Sequence, residues 1–175
     1  MMEDFAHRLT LDRIRDGERL DLVADDEERK TIADRLGLDN LERLEAHASV
    51  SRDGDRIRAR GRLAAALNQR CVVTGDPVPA HVDEAFEILF TPEPEVGGDE
   101  EIELGAEDCD VIFHDGASID LGAAIADTLA LSLNPYPRSA SAEAALKEAG
   151  VLSEEEAGPF AALAKLKRQM GGDES

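Results

Sequence analysis

Two alternating stretches on either side of a tight turn constrain this chain more than any other feature. Ile57, Ala59, Gly61, Leu63, Ala65 and Leu67 recur at every second position, while Arg56, Arg58, Arg60 and Arg62 occupy the positions between. Successive side chains of a strand point to opposite faces of a sheet, so this is the pattern of a half-buried strand. Leu44, Ala46, Ala48 and Val50 alternate in the same way upstream, and Asp53-Gly54 between the two runs signals a hairpin turn. Val82, Phe86, Ile88 and Phe90 mark a further strand, whose opposite face carries Asp83 and Glu87. An antiparallel neighbour of that kind sets carboxylates opposite the arginines, so ion pairing accounts for the arginine stripe better than phosphate binding does. Pro77 and Pro79 are expected to form the bend between the two strands.

The remaining segments read as shorter elements. Phe5, Leu9 and Leu11, then Leu20, Leu22 and Ala24, suggest two short strands around Asp16-Gly17. Asp26 reads as the cap of a helix with Ile32, Ala33 and Leu36 on its apolar side and Gly37 at its end, and Asp39 to Leu44 as a link to the hairpin. Glu93 to Asp110 holds nine acidic residues, no basic ones, and several prolines and glycines, which predicts a loop. Cys109 to His114 alternates as a strand. Asp120 then caps the clearest helix, with Leu121, Ala124, Ile125, Thr128 and Leu129 at helical spacing and Asn134-Pro135-Tyr136-Pro137 as its stop. A short helix is expected over Ser141 to Ala149, a capping box at Ser153-Glu154-Glu155-Glu156, and an amphipathic segment over Pro159 to Met170. The strands and helices do not alternate as βαβ units, so the expected class is α+β. It comprises an antiparallel, curled sheet with one main packed helix over residues 1–138, and a helical C-terminal tail over 139–175.

Charge narrows the function. Of a net charge of −20, almost all falls in residues 71 to 137, which carry 16 carboxylates and no lysine or arginine. Such a region repels nucleic-acid phosphates and attracts basic proteins. Catalytic groups do not assemble: His7, His47, His81 and His114 lie in no motif, and no Gly-rich phosphate loop or H-E-x-x-H is present. Two cysteines, Cys71 and Cys109, cannot supply a soft-metal site, and the acidic loop lacks calcium-loop spacing. No enzyme activity, cofactor or stoichiometric zinc is expected. The first residues lack the apolar core of a secretory leader, and no apolar run is long enough for a membrane span, so the expected location is cytoplasmic.

Several motifs in order carry a family resemblance. They are Cys71-Val72-Val73-Thr74 before a Phe-containing strand, the acidic loop, Asp120-Leu121 opening a helix that ends in Leu129-Ala130-Leu131 and Pro135, and Pro159-Phe160 through Lys167 near the end. Together they resemble the YceD family, associated with accumulation and maturation of 23S ribosomal RNA. The gene of that family commonly neighbours that of the small basic ribosomal protein L32. Many members carry Cys-x-x-Cys where this chain has Cys71 and Thr74, and some have further cysteines after the Pro-rich stop, which are missing here. No metal or redox role is therefore carried over, and Cys71 reads as a small buried apolar residue. The resemblance implies a non-enzymatic factor for assembly of the large ribosomal subunit, whose partner is a basic ribosomal protein or the pre-50S particle. Candidate contacts are Asp99, Glu100, Glu101 and Glu103 in the acidic loop, and Phe160, Leu163, Lys165, Leu166 and Lys167 in the tail. Two alternatives accompany this reading: an acidic holder of a protein such as L32, and a direct RNA binder using Arg56, Arg58, Arg60 and Arg62 with the lysine-rich tail.

Overall fold

In the computed structural model, residues 5–94, 109–151, 158 and 161–170 are described. Five strands form an open sheet in the order β2 (Glu18–Val23), β3 (Asn40–Asp53), β4 (Arg56–Arg70), β5 (Pro77–Pro92) and β6 (Asp110–His114). The first four pair antiparallel in chain order, and the class is α+β. β6 departs from the antiparallel expectation. It runs parallel to β5, with Ile88 opposite Asp110 and Pro92 opposite His114.

The hydrophobic pattern sets the register. Leu44, Ala46 and Val50 of β3, Ile57, Ala59, Leu63 and Ala65 of β4, and Phe86, Ile88 and Phe90 of β5 turn inward into one cluster. Full burial of each large side chain among them stabilises the fold by about 1.5–3 kcal/mol. Gly61 has a packing reason to lack a side chain, since a Cβ there would lie 1.9 Å from the His47 carbonyl oxygen. α1 (Asp26–Leu36) packs on β3, and α2 (Leu121–Ser132) closes the core against β4 and β5 with Leu121, Ile125 and Leu129.

Several expectations need correction. The two short strands expected around Asp16-Gly17 are present, but they do not pair with each other. β1 (Arg8–Thr10) pairs with β7 (Ser118–Asp120) across more than a hundred residues, whereas β2 joins β3. A 3₁₀ turn, Leu11–Arg13, separates them. The cap of α1 is Asp25 rather than Asp26; it accepts from the Glu28 N–H at 2.9 Å while Glu28 accepts from the Asp25 N–H at 2.8 Å, a reciprocal box that satisfies two end donors. The supposed link from Asp39 is the start of β3, disguised by a register shift between Leu41 and Arg43 that breaks the alternation. Pro77 and Pro79 do not make the bend. They lie within β5 opposite Arg70 and Asn68, where proline costs little because β6 reaches only Ile88–Pro92 and leaves the start of β5 as an edge. Cys71 to Asp76 makes the bend instead, closed by Cys71 N–H to the Asp76 carbonyl at 2.8 Å. α3 (Ala142–Glu148) and α4 (Ala161–Met170) complete the chain, and the capping box at Ser153 lies outside the described residues.

Candidate functional site

Three places hold the residues that the sequence singles out. On the outer face of β4, Arg58 and Arg60 both donate to Glu87 Oε1, at 2.8 and 2.9 Å, and Arg62 donates twice to Asp83 Oδ1, at 3.1 and 2.7 Å. The register places Arg60 directly opposite Glu87. The hydrogen bond from Arg60, opposed by partial burial and aided by the charges of Arg60 and Arg58, holds Glu87 below the usual carboxylate range. Arg56 lies at the exposed start of the strand.

The second place is the bend after β4, where the sequence suggests only apolar filling. Cys71 is buried, but its Sγ accepts from the N–H groups of Thr74, at 3.4 Å, and Ser139, at 3.3 Å. Burial pushes the thiol up, while hydrogen bonds from the side chains and backbones of Ser139 and Thr74 outweigh it and bring it from 9.0 to about 6. Around it, Thr74 Oγ1 and Ser141 Oγ donate to Asp76 Oδ2 at 2.8 and 3.0 Å, and Ser139 Oγ lies 3.2 Å from Thr74 Oγ1. Val72 N–H donates to the Pro137 carbonyl at 2.9 Å. The hydroxyls and Asp76 thus tie the β4–β5 bend to the segment that follows α2. Sequence reasoning missed Asp76, Ser139 and Ser141 in this role, because the contacts span some 65 residues. Thr-x-Asp at 74–76 was the one local sign, a spacing suited to a turn bond. Among the described residues no three histidine, cysteine or acidic side chains converge on a metal position.

The third place is the C-terminal region. Leu163 and Leu166 of α4 are exposed, as are Lys165 and Lys167. Pro159, Phe160 and the loop residues Asp99, Glu100, Glu101 and Glu103 lie outside the described residues. Asp120 and Leu121 sit where the N-terminal segment meets the start of α2. Asp120 Oδ1 accepts from the Ala123 N–H, at 3.0 Å, and from the His7 N–H, at 3.1 Å, so one carboxylate caps α2 and fixes the N-terminal segment. Gly122 lets that segment pass, since a Cβ there would lie 1.8 Å from the Phe5 carbonyl oxygen. Leu121 is fully buried beneath it.

The model of one protein family, described as large ribosomal RNA subunit accumulation protein YceD, matches residues 59–167, which is more than half of the chain. The chain belongs to the YceD family. The match runs from the arginine strand through the Cys71 bend and α2 into α4, so the three places above all lie mainly within the YceD region. The family name implies a role in accumulation of large-subunit ribosomal RNA and describes an accumulation factor rather than a reaction. No curated protein and no solved structure matches the chain. No described helix is long and apolar enough to cross a membrane.

Proposed function

We propose that this YceD protein is a non-enzymatic, cytoplasmic factor that supports 23S rRNA accumulation and large-subunit assembly through protein contacts of its acidic surface. The carrying observation is the unequal use of charge. Arg58, Arg60 and Arg62 are engaged by Glu87 and Asp83, while residues 71 to 137 contribute carboxylates without a single lysine or arginine. A field of that sign favours a basic protein over an RNA backbone and speeds its encounter at low salt. The partner is a basic ribosomal protein, L32 being the first to test, free or within a pre-50S particle. Asp99, Glu100, Glu101 and Glu103 supply part of the field. Leu163 and Leu166 of α4, with Phe160, supply an amphipathic docking helix, flanked by Lys165 and Lys167.

Titrating L32 and a 23S rRNA fragment into the protein at low and physiological salt tests this reading. L32 is expected to bind more tightly and to weaken as the screening length falls to about 8 Å. Amide replacement at Asp99, Glu100, Glu101 and Glu103 should weaken binding and flatten its salt dependence. Removal of residues from Ser153 onward should leave the melting temperature nearly unchanged and reduce L32 binding. RNA binding as tight as that of L32 would instead favour contact through the Arg56 to Arg62 face and the lysines of α4.

A further inference from the structure

Among the described residues, the sheet ends in a strand that is paired on one side only. β6 bonds to β5, and no further described strand joins it. Edge strands in natural proteins are commonly guarded by lysine, proline or a bulge. β6 reads Asp-Val-Ile-Phe-His and has none of these. Phe113 is 51% exposed, an unusual state for a phenylalanine in a chain with so few aromatics.

Beside this strand lies a groove of about 360 Å³ between β6, β7 and the first turns of α2. Its size is near the lower end of the roughly 300–1,000 Å³ typical of ligand clefts, which suits a few side chains of a segment rather than a folded domain. Ile112, Phe113 and Ala123 give it an apolar lining, and Asp115, Asp120 and Asp127 border it. None of its described lining residues is lysine or arginine. Asp115 accepts from the N–H groups of Ala117 and Ser118, at 2.9 and 3.4 Å, which hold it below the usual carboxylate range and keep it charged. Arg8 and Arg35 form loose ion pairs with Asp120 and Asp127 at 3.9 and 3.6 Å, so three carboxylates meet two cations there and the border keeps a net negative charge. The groove is also firmly mounted. His114 Nδ1 accepts from the Gly116 N–H at 3.0 Å, leaving Nε2 to donate to the Asp55 carbonyl at 2.7 Å, which pins the end of β6 to the β3–β4 turn.

We propose that the groove between β6 and α2 is a docking site for an extended basic segment of a partner protein. The segment adds to the free edge of β6 through its backbone, rests an apolar side chain on Ile112, Phe113 and Ala123, and sets lysines or arginines against Asp115, Asp120 and Asp127. Backbone pairing supplies the affinity of strand addition and alternate side chains supply its selectivity, so the partner sequence should alternate basic and apolar residues. The inference rests on the acidic-surface reading for the sign of the partner's charge and adds to it a place and a binding mode.

The test uses the full chain and a labelled nine-residue peptide of alternating lysine and valine with a central phenylalanine. Controls replace its lysines by glutamate, or place proline at two alternate positions to block strand pairing. Anisotropy gives the affinity and backbone-amide NMR gives the location. The lysine peptide should bind, perturbing amides of 110–127, and both controls should bind at least about tenfold more weakly. Ala123→Arg, which fills the groove and cancels its net negative charge, and Phe113→Ser, which removes its exposed floor, should each weaken the peptide about tenfold. Thermal melts show that each variant is folded, and either one suffices. Equal affinity of the proline peptide, or perturbations that avoid 110–127, would overturn strand addition at this groove. Running L32 in parallel separates the two claims. Full-strength L32 binding to folded Ala123→Arg refutes the groove and leaves the acidic-surface reading standing. Peptide binding in the groove with no L32 binding to the wild type supports the groove and refutes that reading.

Discussion

The outer face of β4 and β5 and the groove beside β6 use the same kind of residue in opposite ways. On the first, Glu87 and Asp83 meet three arginines at hydrogen-bond distance, and the charges largely cancel within the sheet. At the second, Asp115, Asp120 and Asp127 border an apolar surface and meet only two arginines, in looser ion pairs at 3.9 and 3.6 Å. Four arginines on one strand face would, taken by themselves, suggest a binding feature. Pairing geometry makes it a structural one and leaves the field to the acidic end of the molecule. A carboxylate's role thus depends on what stands opposite it across the strand, which bulk charge does not record.

The largest expected effect separates the two regions by their backbones. Gly61→Ala should destabilise the whole protein by about 3 kcal/mol or more, because its methyl would meet the His47 carbonyl oxygen in the central strand pair and neither backbone can yield easily. Gly122→Ala should act locally. It should release the segment from Phe5 to Thr10 from the start of α2, seen as faster amide exchange there, with a smaller fall in the urea midpoint. Equal global losses from both would show that the groove end folds as one unit with the sheet.

A second expectation concerns the Cys71 bend, at the end of the β4–β5 pair remote from β6. The folded thiol is lowered from 9.0 to about 6, so its contribution to stability is complete above pH 9 and is lost as pH falls through 6. Unfolding free energy should therefore rise between pH 6 and 9, while Cys71→Ala should be less stable at pH 9 and nearly flat across that window. A wild-type curve as flat as that of Cys71→Ala would contradict thiolate acceptance of the Thr74 and Ser139 N–H groups.

Smaller effects are expected on the arginine face itself. Glu87→Gln should cost about 1 kcal/mol or less, as partly exposed pairs usually do, and should strengthen any salt-sensitive RNA binding by removing one negative charge beside Arg58 and Arg60. Asp83→Asn, where both partners are well exposed, should alter stability by no more than about 0.5 kcal/mol and uncover only Arg62. Chemical denaturation and a filter-binding series would measure both.

Much of the fold is legible in the sequence because its strongest signals are local. The hairpin of β3 and β4 follows from alternation and Asp53-Gly54, and α2 follows from Asp120, its helical spacing and Pro135. The pairing of Arg60 with Glu87 also follows, since antiparallel neighbours with opposite charges on one face must meet. What the sequence hides are contacts between distant segments. β1 is three residues long and finds its partner at Ser118–Asp120, and β6 joins β5 parallel rather than as a hairpin, so neither leaves a turn signature. The Cys71 bend escapes for the same reason: Thr74, Asp76, Ser139 and Ser141 are ordinary polar residues until the fold brings them together. The groove was half visible, in that Val111 and Phe113 alternate, but Asp115, Asp120 and Asp127 become its border only once β6, β7 and α2 are adjacent.

The most direct test of this separation of roles is hydrogen–deuterium exchange on the full chain with and without saturating L32, read peptide by peptide. Slower exchange is predicted at 110–127, with the outer strand pair from Arg56 to Arg62 and from Asp83 to Glu87 unchanged. Protection of the arginine strand with no change at 110–127 would contradict the account and make the stripe, not the acidic end, the surface this YceD protein presents to its partner.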